Sequence, residues 1–366
     1  MGQDKQKQIY MWPSYWGRPV AHGSNGAVSS NSVYATRAGL EILNQGGNAF
    51  DAAVAISLTL SVVEPHHSGI GGGCFSLLYD ARSGESVGID GRGIAPARAT
   101  ADLFMKDGEV QDEWKDLGGQ SVALPGLLKT MDMILNKYGT LSWEEISAPA
   151  IRCAKDGFGT SYTGALTMFD NSVERKMRLS EAFRKLYRKE GGAFYEFGEI
   201  QKNPEIAELL QSIAKYGVDY FYKGRIAKKI VNLINDRGGC FDLSDMESYE
   251  PKVRDPIKTT YRGYEIAAFA PPSGGGALVE MLNILENYDL QSMGHNTADA
   301  IHALAEAMKL GFADRSVALG DPEFVDVDFE RLTSKKFAYE RFELAGEHAG
   351  EFAAATGIEA KQYPGN

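Results

Sequence analysis

The stretch that most restricts the fold is Ala49 to Val63, AFDAAVAISLTLSVV, which is apolar on nearly every side. A helix half in water shows a polar stripe every three to four residues, and this one shows none, so other layers must enclose it. Asn48 stands at its start as a cap. The longest apolar run within it, Ala52 to Val63, has 12 residues, well short of the roughly 20 that span a bilayer. Three glycines, Gly71 to Gly73, then relax the backbone ahead of CFSLLYD and SVGID, two strand-like runs joined by ARSGE with Ser83-Gly84 as the turn. An enclosed helix feeding an antiparallel hairpin over Cys74 to Arg92 predicts a layered α/β fold.

The rest of the chain alternates in the same way. Ala27 to Ser30 reads as a short strand, and Asn31 caps a helix through about Asn44, stopped by Gly46 and Gly47. Helices follow over Gly126 to Tyr138, from the Ser142/Glu145 capping box to Asp156, over Pro204 to Tyr216 and over Gly224 to Asp236. Together they make a mainly helical excursion at about 125–250, within which ERKMRLSEAFRKLYRKE reads as a solvated helix. Strands are expected at Ile257 to Thr260 and Tyr264 to Phe269, then helices over Ala277 to Tyr288 and Thr297 to Leu319. Beyond Ser334 the apolar periodicity is lost, which predicts a mobile tail over 335–366. Residues 1–26 read as an N-terminal extension and 27–334 as one domain.

Composition closes off several function classes. The 49 acidic residues outnumber the 38 basic ones, giving a net charge of −11 with no basic cluster, so neither nucleic acid nor an anionic membrane is an expected partner. The 3 cysteines, Cys74, Cys153 and Cys240, lie far apart without C-x-x-C spacing, against a zinc site or a disulfide framework. No apolar run with a small-residue cleavage site opens the chain, so a cytoplasmic location is expected. His302 has no second ligand at i+4, and no metal or organic cofactor is signalled.

No complete active site is written in these residues. There is no G-x-S-x-G elbow and no H-E-x-x-H, and GIGGGCF precedes a strand where a dinucleotide fingerprint must follow one. Gly274 to Gly276 opens a helix and is either an anion nest or a close-packing device. Arg92, set between Gly91 and Gly93 at a strand end, is either a surface ion pair or a fork of donors for an acidic substrate.

The longer strings carry a resemblance. AVSSNSVYATRAGLEILNQGGNAFDAAVAISLTLSVVEPHHSGIGGGCFSLLYD, GQSVALPGLL, DLSDMESYEP, PPSGGGALVEMLNILENYDL and AEAMKLGFADRSVALGDPEFV occur in the order and spacing of the gamma-glutamyltransferase large subunit. The sequence resembles that family, of the N-terminal nucleophile hydrolases, from about Ala27 to Leu332.

The resemblance implies a four-layer αββα sandwich shared by two chains cut from one precursor. It implies a catalytic threonine at the start of a small chain, so that no catalytic residue lies in this one, and self-cleavage at Asn366. Asp90 to Pro96 matches the family's D-x-R-E-x-A-P motif, whose arginine grips the substrate carboxylate, and Arg92 is the matching residue. Gly93 stands where members acting on glutathione usually carry glutamate, and His67 and Cys74 also depart from the commoner residues. The implied enzyme is a hydrolase or acyltransferase acting on gamma-glutamyl or similar carboxylate-bearing amides through an acyl-threonine. Cephalosporin (glutaryl) acylase and oxamate-type amidohydrolase are alternatives within the family, and a non-catalytic binding protein keeping the fold is one outside it. The implied partner is the small subunit, as a heterodimer or a dimer of heterodimers.

Overall fold

The computed structural model describes residues 21–167, 181–359 and 361–362. It divides into two compact units, residues 21–69 with 134–217 and residues 70–133 with 218–362.

The first unit is built around the enclosed helix, which runs over Ala49–Val63 as expected. Its start is a reciprocal cap. The Asn48 side chain accepts from the Phe50 and Asp51 amides, while the Asp51 carboxylate accepts from the Asn48 amide at 2.8 Å. Val54, Ala55 and Leu58 are fully buried. Asp51 is buried too, and it also receives the Thr140 amide at 2.9 Å and hydroxyl at 2.6 Å, which ties the turn after Tyr138 to the helix start. Helices Val33–Asn44 and Trp143–Asp156 flank the central one, and Trp143–Asp156 packs in turn on Pro204–Tyr216.

One local expectation fails in this unit and another holds with one buried face. Ala27 to Ser30 forms no strand. The Ser30 hydroxyl instead meets Thr36 Oγ1 at 2.8 Å and donates to the Ser32 carbonyl at 2.9 Å, and Ser32, not Asn31, caps the helix that follows. Short hydroxyl side chains offer the backbone an alternative to a ladder, and here that alternative wins. The charged segment read as a solvated helix is described only from Glu181, where a helix over Glu181–Tyr187 buries Tyr187 against Phe183, Leu186 and Phe194. Phe183, Leu186 and Tyr187 fall on one face, while Glu181, Arg184 and Lys185 stay exposed as expected of a solvated helix.

In the second unit the hairpin forms in the expected place. Strand β1 (Cys74–Asp80) pairs antiparallel with β2 (Glu85–Gly91) from Asp80↔Glu85 to Cys74↔Gly91. Strand β3 (Lys252–Arg254) extends the sheet from the far side of β2, with Asp90 opposite Lys252 and Gly88 opposite Arg254. A separate hairpin, Ile257–Tyr261 with Tyr264–Ala268, turns through Arg262 and Gly263, both at positive φ. Helix Gly275–Leu285 packs on that hairpin and against helices Ala298–Ala318 and Lys335–Phe342.

Of the glycines of PPSGGG, Gly275 serves packing. A Cβ on Gly275 would lie 2.0 Å from the Phe269 carbonyl oxygen, and Ser273 donates to that same oxygen at 2.8 Å while accepting the Gly275 amide at 3.2 Å. Over the described residues 335–359, part of the stretch expected as a mobile tail, the chain is instead packed: Phe337, Ala338 and Ile358 are all buried. A few anchors set far apart in sequence fix it, which is why no periodicity announced them.

Candidate substrate-binding site at Arg92

Strand β2 ends at Gly91, and the chain there is crowded by two other segments. A Cβ on Gly91 would stand 1.8 Å from Thr130 Oγ1, and one on Gly73 would stand 2.6 Å from the Gly91 carbonyl oxygen and 2.9 Å from Arg92 Cα. On Gly126 it would meet the same carbonyl at 2.1 Å and Tyr249 Oη at 2.2 Å. Three glycines therefore let three passages of chain converge on Arg92. Hydrogen bonds close the junction, from the Gly126 and Leu127 amides to the Gly72 carbonyl at 2.9 and 3.0 Å and from the Leu124 amide to the Ile94 carbonyl at 2.9 Å.

Arg92 is held by its main chain at both ends. Its amide donates to Asp90 Oδ1 at 3.1 Å, and the other oxygen of that buried carboxylate receives Arg254 Nε from β3 at 2.8 Å. Its carbonyl accepts the Tyr249 hydroxyl at 2.8 Å. The Tyr249 ring is stacked on Tyr222, with planes 10° apart, and the Tyr222 hydroxyl donates to the Pro125 carbonyl at 2.8 Å. Burial pushes both phenols well above their usual range, so both stay neutral donors.

The guanidinium is exposed. It lies over the Phe75 ring at 5.8 Å from the centroid, and among the described residues no carboxylate comes within ion-pair distance of it. Beneath it opens a cavity of about 60 Å³ that Arg92 shares with Lys252 and Arg254. Lys252 is paired with Glu323 and Arg254 with Asp90, so Arg92 alone of these three cations has no carboxylate partner among the described residues.

The neighbouring positions can be ruled on individually. A Cβ on Gly93 would lie 2.8 Å from both Ala123 Cβ and the Leu124 carbonyl oxygen, so no longer side chain stands there without a shift of that segment. Burial pushes the Cys74 thiol up, which keeps it protonated and a poor nucleophile. His67 is exposed, and His302 Nε2 lies 2.8 Å from the Gly346 carbonyl oxygen. All 3 cysteines are free, and among the described residues no group of acidic, histidine or cysteine side chains is placed to hold a metal. Asn366 lies outside the described residues. Among the described residues no helix is long and apolar enough to cross a membrane.

Sequence reading found Arg92 and its glycine bracket. It missed Tyr249 and Arg254, although Tyr249 sits inside the quoted string DLSDMESYEP. Nothing local to either residue marks it, because their partners are 157 and 164 positions away.

The architecture is the mixed α/β fold of the N-terminal nucleophile hydrolases. The crystal structure of Helicobacter pylori gamma-glutamyltranspeptidase superposes with a TM-score of 0.86 at 35% identity, covering 90% of this chain and 94% of that one. A family model described as gamma-glutamyltranspeptidase matches residues 35–363, and the chain belongs to that family. Among curated relatives it is 38% identical to the glutathione hydrolase proenzyme of Escherichia coli (strain K12) over 86% of its own length. It is 37% identical to the acylase ACY 1 proenzyme of Pseudomonas sp. (strain SE83) over 94%. The chain spans 54% and 64% of those two relatives' lengths, less than two thirds of either.

Proposed function

We propose that this chain is the large part of a self-processed amidohydrolase or acyltransferase in which Arg92 binds the carboxylate of the acyl donor. The observation that carries the reading is the free guanidinium beside the cavity, on a main chain fixed at both its amide and its carbonyl. A guanidinium fork matches a carboxylate bidentately and stays charged at any working pH. The relatives bear names of proenzymes that hydrolyse glutathione or act as acylases, which supports both the processing and the amide chemistry. In that chemistry a threonine hydroxyl at the start of a small chain attacks the substrate carbonyl, and the free α-amine of the same threonine takes the proton. The two chains that self-cleavage produces remain together as a heterodimer. This chain's own share is to bind and orient the acyl group.

A second reading, a glutaryl-type acylase, is favoured by position 93. An acyl donor with an α-ammonium group calls for an acid near the clamp; of those on the cavity wall Asp90 is committed to Arg254 and Glu250 to Lys129, Asp321 lies 3.9 Å from Arg254 Nη2, and Gly93 has no room to become one. An acyl part carrying only the carboxylate makes no such demand.

The test is a panel on the two-chain protein of gamma-glutamyl anilide, glutaryl amide and oxamate, each with and without an acceptor dipeptide. Arg92→Ala raises KM for the carboxylate-bearing amide that is turned over by roughly 10- to 100-fold, the range set by charge-assisted hydrogen bonds. Unchanged kinetics in that variant would sink the assignment.

A further inference from the structure

We infer that Tyr249 and Asp90 are positioning residues that hold Arg92 by its main chain so that its guanidinium stays free for substrate; the inference rests on the carboxylate-clamp reading above. A clamp must be preorganised, and its first requirement is that the main chain from which the arginine reaches out stays in one place. The direct way to order it, a carboxylate on the guanidinium, would compete with the substrate for the same donors. Here the order comes from behind.

The Tyr249 hydroxyl donates to the Arg92 carbonyl at 2.8 Å, and its own direction is fixed by the stacking on Tyr222. The absence of a side chain on Gly126 makes room for that hydroxyl, since a Cβ there would come within 2.2 Å of it. At the other end, Asp90 takes the Arg92 amide with one oxygen and Arg254 Nε with the other. Arg254 is itself steadied by Asp321 and Glu323, 3.9 and 3.8 Å from its Nη2. Both Asp90 and Tyr249 line the cavity, yet their polar atoms are spent on the Arg92 main chain and on Arg254.

Tyr249→Phe removes the one hydrogen bond and keeps the stacked ring. In the full two-chain protein it raises KM for the carboxylate-bearing amide about fivefold, the worth of one net hydrogen bond. The effect falls on KM and not on kcat, and the melting temperature holds. A double-mutant cycle with Arg92→Ala separates positioning from bulk structure. If Tyr249 acts through Arg92, Tyr249→Phe adds nothing to kcat/KM once the arginine side chain is gone. An equal loss in both backgrounds, or no loss in either while Arg92→Ala still raises KM, overturns the positioning role and leaves the clamp standing. An Arg92→Ala variant with unchanged KM overturns the clamp and the positioning role together.

Discussion

Replacing Glu280 with glutamine should flatten the fall in stability of this protein with rising pH. Glu280 on helix Gly275–Leu285 and Asp314 on helix Ala298–Ala318 are both fully buried, and Arg341 on helix Lys335–Phe342 is 5% exposed. Arg341 Nε pairs with Asp314 Oδ2 at 2.7 Å, and Asp314 Oδ1 also takes the Ala355 amide at 2.6 Å. One guanidinium therefore faces two enclosed carboxyls, and both Glu280 oxygens lack a hydrogen-bond partner. Burial first, then the neighbouring Asp314, push the Glu280 carboxyl up to about 10 against the pull of Arg341. Native Glu280 thus keeps its proton at neutral pH, while the unfolded chain gives it up above its ordinary value of 4.5.

The sign follows from proton counting. Between the ordinary value of 4.5 and about 10 the native state binds one proton more than the unfolded state, so stability is greatest at the acid end and falls as pH rises. One proton corresponds to about 1.4 kcal/mol per pH unit, or about 4 kcal/mol between pH 6 and pH 9. Glu280→Gln keeps the shape and never titrates. Denaturant unfolding of the full-length protein, run across that range for both forms, should give stability curves that diverge by this slope, with the variant gaining on the parent as pH rises. Parallel curves would refute the reasoning, because they would mean that Glu280 holds no extra proton in the fold.

Two further outcomes test local packing, one in each unit. Gly93→Glu should cost about 1–3 kcal/mol through overpacking against Ala123 and Leu124, read as a lower melting temperature, with the Ala123→Gly change restoring part of it. Asp51→Ala should destabilise by about 3 kcal/mol, since it strips a buried carboxylate that serves the Asn48 and Thr140 amides and the Thr140 hydroxyl; a melting temperature within a degree of the parent would show that the cap contributes nothing.

The sequence alone determined what local chemistry decides. An uninterrupted apolar face with Asn48 ahead of it set the enclosed helix, the Ser142/Glu145 pair set another helix start, and Ser83-Gly84 between two strand-like runs set the hairpin that carries Arg92 to its place. These rules act over a few residues, so they are visible in a string. Local reading failed where side chains chose between near neighbours, as at Ser30 to Ser32, and where sparse anchors packed a segment without periodicity, as after Ser334. Only the tertiary structure decided which groups meet. Asp90 and Arg254 come together because β3 returns beside β2, and Tyr249 reaches the Arg92 carbonyl because Gly126 leaves space for it. The proton on Glu280 exists only where three helices exclude water around two carboxyls and one guanidinium. A charge is a property of the residue, but its cost and its partners belong to the place where the fold puts it.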